Sequence, residues 1–167
     1  NKIHGADVVE VSKSIGMDKR ISPQFLNAGL GYGGSCFQKD LTALYQFSKR
    51  LDYNPLLLDA VQKVNDLQPA AAIELTRQML GDLRNTSIAI LGLSFKPNTD
   101  DMREAVSLKI VEMLKNEGAK VVVHDPMAIR NAKKILGDKV KYAGSVEECV
   151  NGTDCAILVT EWEEYKS

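Results

Sequence analysis

Apolar residues recur along this chain in two rhythms, and the rhythm changes once. Val8, Val11 and Ile15 fall three and four apart, the spacing of one helix face, and Gly16 is placed to stop that helix. Residues 17–35 then lose periodicity and become glycine-rich. From Cys36 onward, Phe37, Leu41, Leu44, Tyr45 and Leu51 again fit one helical face. Pro55 punctuates, and a long helical stretch is predicted from there to about Leu80. Pro69 lies inside it. Proline has no N–H to donate and crowds the preceding turn, so a kink or a fresh start is expected there.

After Gly81 the apolar runs shorten. Residues 87–92 and 120–124 are compact runs of the buried parallel-strand type, and residues 140–142 and 155–160 read as further strands. Between them, Val106, Ile110, Val111 and Leu114 mark a helix closed by Gly118. Residues 128–136 look helical, and a short helix is expected near 146–150. Strand and helix alternate, so residues 83–167 are expected to form an α/β domain on a parallel sheet. Residues 1–82 form a helical region ahead of it, and the boundary falls near Gly81 to Arg84.

Such a sheet invites a dinucleotide-binding reading, but its first turn resists it. Close approach to a pyrophosphate needs Gly-x-Gly-x-x-Gly. The turn here, Gly92-Leu-Ser-Phe-Lys-Pro-Asn-Thr-Asp-Asp-Met-Arg-Glu104, has one glycine and many polar side chains. Asp125 ends the second strand where a ribose-binding acid would sit, yet the glycine turn it would serve is missing. The sheet is Rossmann-like in outline only.

Composition narrows the class further. The 167 residues are 44% hydrophobic and 26% charged, ordinary for a globular chain. No apolar run approaches the roughly 18 residues of a membrane span. The net charge of −1, with both signs interspersed, argues against a nucleic-acid surface. Cys36, Cys149 and Cys155 are odd in number and widely spaced, so neither a disulfide framework nor a zinc site is expected, and a cytoplasmic setting is. The opening residues Asn-Lys-Ile-His carry no initiator Met or signal pattern, and the start is read as a position within a longer protein.

The densest chemical signal is Asn27-Ala-Gly-Leu-Gly-Tyr-Gly-Gly-Ser-Cys-Phe-Gln-Lys-Asp40. Four glycines let a backbone approach a ligand and turn N–H groups toward an anion. A cysteine at a helix start meets the positive end of the helix dipole, which favours the nucleophilic thiolate. Lys39 and Asp40 follow three and four residues on, within reach of the same face. A nucleophile, a cation and a carboxylate beside a glycine loop suit covalent catalysis through sulfur, with the carboxylate handling water.

Residues 31–40 resemble the active-site signature of the UDP-glucose 6-dehydrogenase branch of the nucleotide-sugar dehydrogenases. Residues 15–20 resemble the segment that precedes this loop. Residues 91–104 resemble the family's substrate-binding turn, and Asp125-Pro126 and Thr160-Glu-Trp162 also match. Phe37-Gln38 after the cysteine favours the UDP-glucose branch over the GDP-mannose branch, where Leu-Pro follows, and over the UDP-N-acetylmannosamine branch.

The resemblance implies NAD-dependent, four-electron oxidation of a primary alcohol to a carboxylate. Cys36 would hold the aldehyde as a thiohemiacetal and then a thioester, and Asp40 would position water. Asn27, Ala28, Gly29, Leu30, Gly31, Tyr32 and Gly33 would line the UDP-glucose site, with Phe95 and Lys96 reaching it from the α/β domain. Lys39 and Arg103 would reach NAD. Arg20 would reach substrate across a homodimer formed through the central helix. The family's N-terminal NAD-binding domain is absent from this sequence, so the chain alone is expected to be inactive, with an imperfectly closed sheet.

A catalytically silent nucleotide-sugar-binding or dimerisation module and a thiol redox sensor at Cys36 remain the rival readings. Cys149, Cys155 and Trp162 are expected in the core, His4 at the surface and His124 at a strand end. Asp100 and Asp101 are read equally as solvated turn acids or functional ones.

Overall fold

The computed structural model describes residues 5–166; His4 lies outside them. Helix α1 (Val8–Gly16) begins where the Asp7 side chain accepts a 2.7 Å hydrogen bond from the Val9 N–H. Helix α2 (Phe37–Arg50) and helix α3 (Leu56–Leu80) follow. Neither α1 nor α2 contains a buried residue, although each has an apolar stripe. Phe37, Leu44 and Leu51 all keep more than half their surface exposed.

Helix α3 neither ends nor restarts at Pro69. Pro69 takes a donor from the carbonyl one turn earlier, that of Asn65, and this carbonyl lies against the glycine loop at Gly31. Beyond it, Ala72, Ile73 and Thr76 are buried, and the Thr76 hydroxyl donates back to the Ala72 carbonyl at 2.8 Å. Burial on both sides of the proline offsets the lost bond. The same packing divides the apolar stripe of α3. Leu56, Leu57, Val61, Val64, Leu67 and Leu75 are exposed, whereas Ile73 is buried and Leu80 packs on the core.

Four parallel strands, β1 (Ser87–Leu91), β2 (Lys120–His124), β3 (Lys141–Tyr142) and β4 (Cys155–Leu158), form a sheet of order β3-β2-β1-β4. Helices α4 (Val106–Asn116), α5 (Ile129–Leu136) and α6 (Val146–Val150) connect them. Period-two alternation assigns the faces. Ile88 and Ile90 of β1 and Val121 and Val123 of β2 point into the main core with Ile110 and Leu114 of α4 and Ile73 of α3. Ala89 faces the other way, where α6 comes close through Cys149. Cys149 is fully buried, and burial pushes its thiol up to about 11. Cys155 departs from the core expectation, because β4 is an edge strand with alternate residues exposed, and its thiol is only partly covered. No helix among the described residues is long and apolar enough to cross a membrane.

At the carboxyl end of β2, His124 is buried beside Tyr165, 3.0 Å from its hydroxyl, and Asp125 is 2% exposed. One Asp125 oxygen accepts from the Leu93 and Ser94 N–H groups at 2.7 and 3.0 Å, the Ser94 hydroxyl and the Trp162 indole N–H. The other accepts from the Met127 and Ala128 N–H groups at 2.9 and 2.7 Å. This carboxylate ties the turn after β1 to the entry of α5 and to the buried Trp162. Both its oxygens, and the Leu93 and Ser94 N–H groups, are used within the chain. Five N–H groups surround the two oxygens, so an amide nitrogen in place of either oxygen would face donors. Asp125→Asn is expected to destabilise the fold by about 2 kcal/mol and Asp125→Ala by about 3 kcal/mol or more, read from urea unfolding followed by Trp162 fluorescence. An unchanged midpoint for Asp125→Asn would contradict this account.

Candidate active site around Cys36

Three of the four loop glycines are set by what lies beside them. Gly31 has φ +102°, and a Cβ there would stand 2.8 Å from the Asn65 side-chain oxygen. At Gly33 a Cβ would collide with the Glu104 carbonyl, and at Gly34, φ +89°, it would stand 2.7 Å from the Phe95 ring. The loop is thus seated on α3 at one side and on the turn of residues 92–105 at the other. Gly29 has nothing within 4 Å of its Cβ position among the described residues.

This seating uses donors that the sequence had suggested for an anion. The Tyr32 N–H donates to Asn65 Oδ1 at 2.7 Å, and the Gly34 N–H donates to the Arg103 carbonyl at 3.1 Å. A loop this close to its own chain satisfies its donors there. Asn65 also donates from Nδ2 to the Tyr32 carbonyl at 3.1 Å, so its amide holds both backbone groups of Tyr32. The Tyr32 ring meets Phe37 edge-to-face at 5.8 Å, and its hydroxyl is buried with no partner among the described residues.

Cys36 is exposed at the N-cap of α2, where its carbonyl accepts the Asp40 N–H at 2.9 Å. The Ser35 hydroxyl lies 3.9 Å from its sulfur. Lys39 and Asp40 pair at 3.3 Å with both side chains largely exposed. A groove of about 620 Å³ runs alongside, lined by Ser35, Gln38, Lys39, Thr42, Arg103 and Glu104 among others. Two cations and several hydroxyl and amide groups face one hollow beside the thiol.

Arg103 is held by Asp101, which accepts from its backbone N–H at 2.9 Å and from its guanidinium at 2.7 to 3.1 Å. These bonds hold the Asp101 carboxyl below its ordinary range. They also push the Arg103 guanidinium up, with the Cys36 sulfur adding weakly in the same direction. Asp101 therefore serves the turn, while Asp100 accepts from the Asn131 amide at 3.0 Å. Lys96 lies over the Phe95 ring at 5.5 Å, and Phe95 bears on Gly34.

The remaining candidates sit apart. Asn27 and Ala28 line a separate hollow of about 360 Å³ with Val8, Ser12 and Glu161, and Leu30 packs on the main core. Arg20 is bound to Asp18 through its backbone N–H and guanidinium, as Arg103 is to Asp101. Among the described residues no hydrogen bond or ion pair joins Arg20 to the Cys36 group, and no cluster of His, Cys, Asp or Glu could hold a metal ion. Sequence reasoning missed Asn65. Its one local sign is the backbone carbonyl that Pro69 leaves without a helical donor, and nothing local marks the side chain that binds Tyr32.

The chain is similar to known proteins along nearly its whole length. Residues 1–67 match the central domain of the UDP-glucose/GDP-mannose dehydrogenase family, and residues 89–167 match its UDP binding domain. A UDP-glucose 6-dehydrogenase of Bacillus subtilis, YwqF, is 45% identical over 97% of this chain and 37% of its own length. The solved UDP-glucose dehydrogenase of Pyrobaculum islandicum superposes with a TM-score of 0.95 at 40% identity, over 98% of this chain and 38% of that one. The GDP-mannose dehydrogenase of Pseudomonas aeruginosa superposes at 0.75 with 28% identity, over 96% and 39%. This chain spans less than two fifths of the length of these relatives. With both family domains matched in order and the fold shared throughout, the chain belongs to the UDP-glucose/GDP-mannose dehydrogenase family.

Proposed function

We propose that this chain supplies the catalytic thiol and the nucleotide-sugar-binding half of an NAD-dependent UDP-glucose 6-dehydrogenase. In this reading residues 1–82 are the central region and residues 83–167 the UDP-sugar domain, and an N-terminal NAD-binding domain completes the enzyme. The observation that carries the reading is the exposed Cys36 at the start of α2, with the Lys39–Asp40 pair one turn on and Lys39 and Arg103 lining the adjacent groove. The UDP-glucose branch is supported by 45% identity to a UDP-glucose 6-dehydrogenase, against 28% to a GDP-mannose dehydrogenase. We assign the enzyme to the cytosol, where three unpaired thiols stay reduced.

The residues define the chemistry this chain contributes. NAD, when bound, accepts a hydride from the sugar carbon in each of two oxidations. The fit from this side is through Lys39 and Arg103, whose charges suit its phosphates. Between the oxidations the Cys36 sulfur adds to the C6 aldehyde, forming a C–S bond and a thiohemiacetal whose oxygen takes a proton. Loss of the second hydride and that proton leaves a thioester. Asp40, one helical turn from Cys36, orients the water that replaces sulfur, and the carboxylate and the thiol are released. Phe95, Lys96 and residues 27–33 receive the UDP-sugar, and Arg20 serves the active site of a partner subunit.

That partner meets α3. Leu57, Val61 and Val64 are exposed there and line an apolar groove of about 390 Å³ with Tyr32 and Asn65. A contiguous apolar surface of this kind marks an interface, and a two-fold dimer buries it against its own copy.

Three outcomes test the reading. In the full-length enzyme, Cys36→Ser is expected to stop release of UDP-glucuronate, because the resulting oxygen ester is a far poorer acyl donor. Undiminished turnover would refute covalent catalysis. In calorimetry, this chain should bind UDP or UDP-glucose more tightly than NAD, because the turn after β1 lacks the glycines of a dinucleotide site and residues 89–167 match a UDP binding domain. The reverse order would overturn the domain assignment. In sedimentation equilibrium the chain should dimerise, with Val61→Asp or Val64→Asp weakening the dimer about tenfold or more. A monomer at every accessible concentration would make α3 an ordinary surface helix.

A further inference from the structure

The geometry points to Asn65 of α3 as the positioning residue for the catalytic-cysteine loop. The inference rests on the reading of Cys36 as the nucleophile. Asn65 is 8% exposed, and its amide makes a two-point clamp on Tyr32, accepting from its N–H at 2.7 Å and donating to its carbonyl at 3.1 Å. Tyr32 precedes Cys36 by four residues, and its ring packs on Phe37, the first residue of α2. The clamp therefore fixes the strand of chain that delivers the sulfur.

Two further features shape this contact. Gly31 must lack a side chain, since a Cβ would stand 2.8 Å from Asn65 Oδ1 and 3.3 Å from the Asn65 carbonyl. Pro69, four residues on, withholds the helical N–H from that same carbonyl. Side chain and backbone of one residue thus both face the loop. On the opposite side the loop rests on Arg103 and Phe95 through Gly34. Removing the clamp leaves one anchor of two, and the sulfur loses its fixed place relative to the turn that would hold substrate. Misplacement by about an ångström costs on the order of a hundredfold in rate.

The test compares variants of the full-length enzyme at a temperature well below all their melting points. Asn65→Ala deletes the clamp. Asn65→Asp keeps the shape and the acceptor for Tyr32 N–H but turns an acceptor against the Tyr32 carbonyl. Gly31→Ala disturbs the same contact from the loop side and keeps the test open should Asn65→Ala fail to fold. Thr76→Val removes a buried hydroxyl farther along α3 and controls for helix stability alone.

The expected result is a fall in kcat of about tenfold or more in the three loop-contact variants, with KM for NAD within about twofold of wild type. The rate of Cys36 alkylation by iodoacetamide, followed by peptide mass spectrometry, should change alongside, while Thr76→Val shifts only Tm. If the Asn65 variants lower Tm as Thr76→Val does but keep wild-type kcat and alkylation rate, Asn65 is merely structural and the proposal fails. Cys36→Ser distinguishes the two ideas. An active Cys36→Ser enzyme removes the covalent reading, whereas an inactive one beside fully active Asn65 variants removes only the positioning role.

Discussion

The carboxylate of Asp125 is the interaction on which the rest of this molecule's arrangement depends. It sits at the end of β2 and gathers donors from the turn after β1, the entry of α5 and the Trp162 indole. A buried carboxylate is stable only when its lone pairs are satisfied, and here the chain alone satisfies them. The consequence extends beyond the sheet. With Leu93 and Ser94 fixed, the Thr160 hydroxyl reaches the Ser94 carbonyl at 2.6 Å and the Ser107 hydroxyl reaches the Leu93 carbonyl at 2.6 Å. The turn of residues 92–105 becomes a rigid bracket, and the cysteine loop rests on its Phe95, Arg103 and Glu104. The turn after β1 is in this way a side-chain platform held by its own chain.

The glycines at the cysteine loop act at a seam. Gly31 admits Asn65, Gly33 admits the Glu104 carbonyl and Gly34 admits the Phe95 ring, so three elements far apart in sequence converge within four residues. Close backbone approach, more than ligand access, explains why side chains are missing there. Helix α3 carries one side of this seam and continues into the α/β core through Ala72, Ile73 and Thr76. The ion pairs Lys109–Asp66 and Arg77–Glu117 connect it to α4 and the residue after it. Both pairs are substantially exposed and contribute little stability. The apolar contacts of Ile73 with α4 carry the attachment.

Packing is unevenly divided along the chain. The α/β portion has a closed core, whereas α1 and α2 bury no residue and the first two thirds of α3 keep a broad apolar stripe in solvent. Hydrophobic surface left open on this scale is what the proposed two-fold dimer would bury. The thiol, the Lys39–Asp40 pair and the groove beside Arg103 are likewise open on one side. In the proposed enzyme the helical portion is half of an enclosure.

Sequence alone determined the elements and the family. Helix period, strand runs and glycine punctuation located α4, β2, α5 and α6 almost to the residue, because those elements form from local periodicity and close at local stop signals. The Gly-Tyr-Gly-Gly-Ser-Cys string marked the start of α2 and the loop seated between α3 and the turn of residues 92–105. Tertiary structure alone decided the remainder. Helix α3 runs through Pro69 because burial on both sides compensates a local penalty that sequence rules count alone. Cys155 is half-open because strand order put β4 at an edge. Asn65 clamps Tyr32 across 33 positions, and Asp125 ties Leu93 across 32. Bonds of that span are chosen by how layers stack, and no local period records them, so the residues that hold the cysteine in place emerged only with the fold.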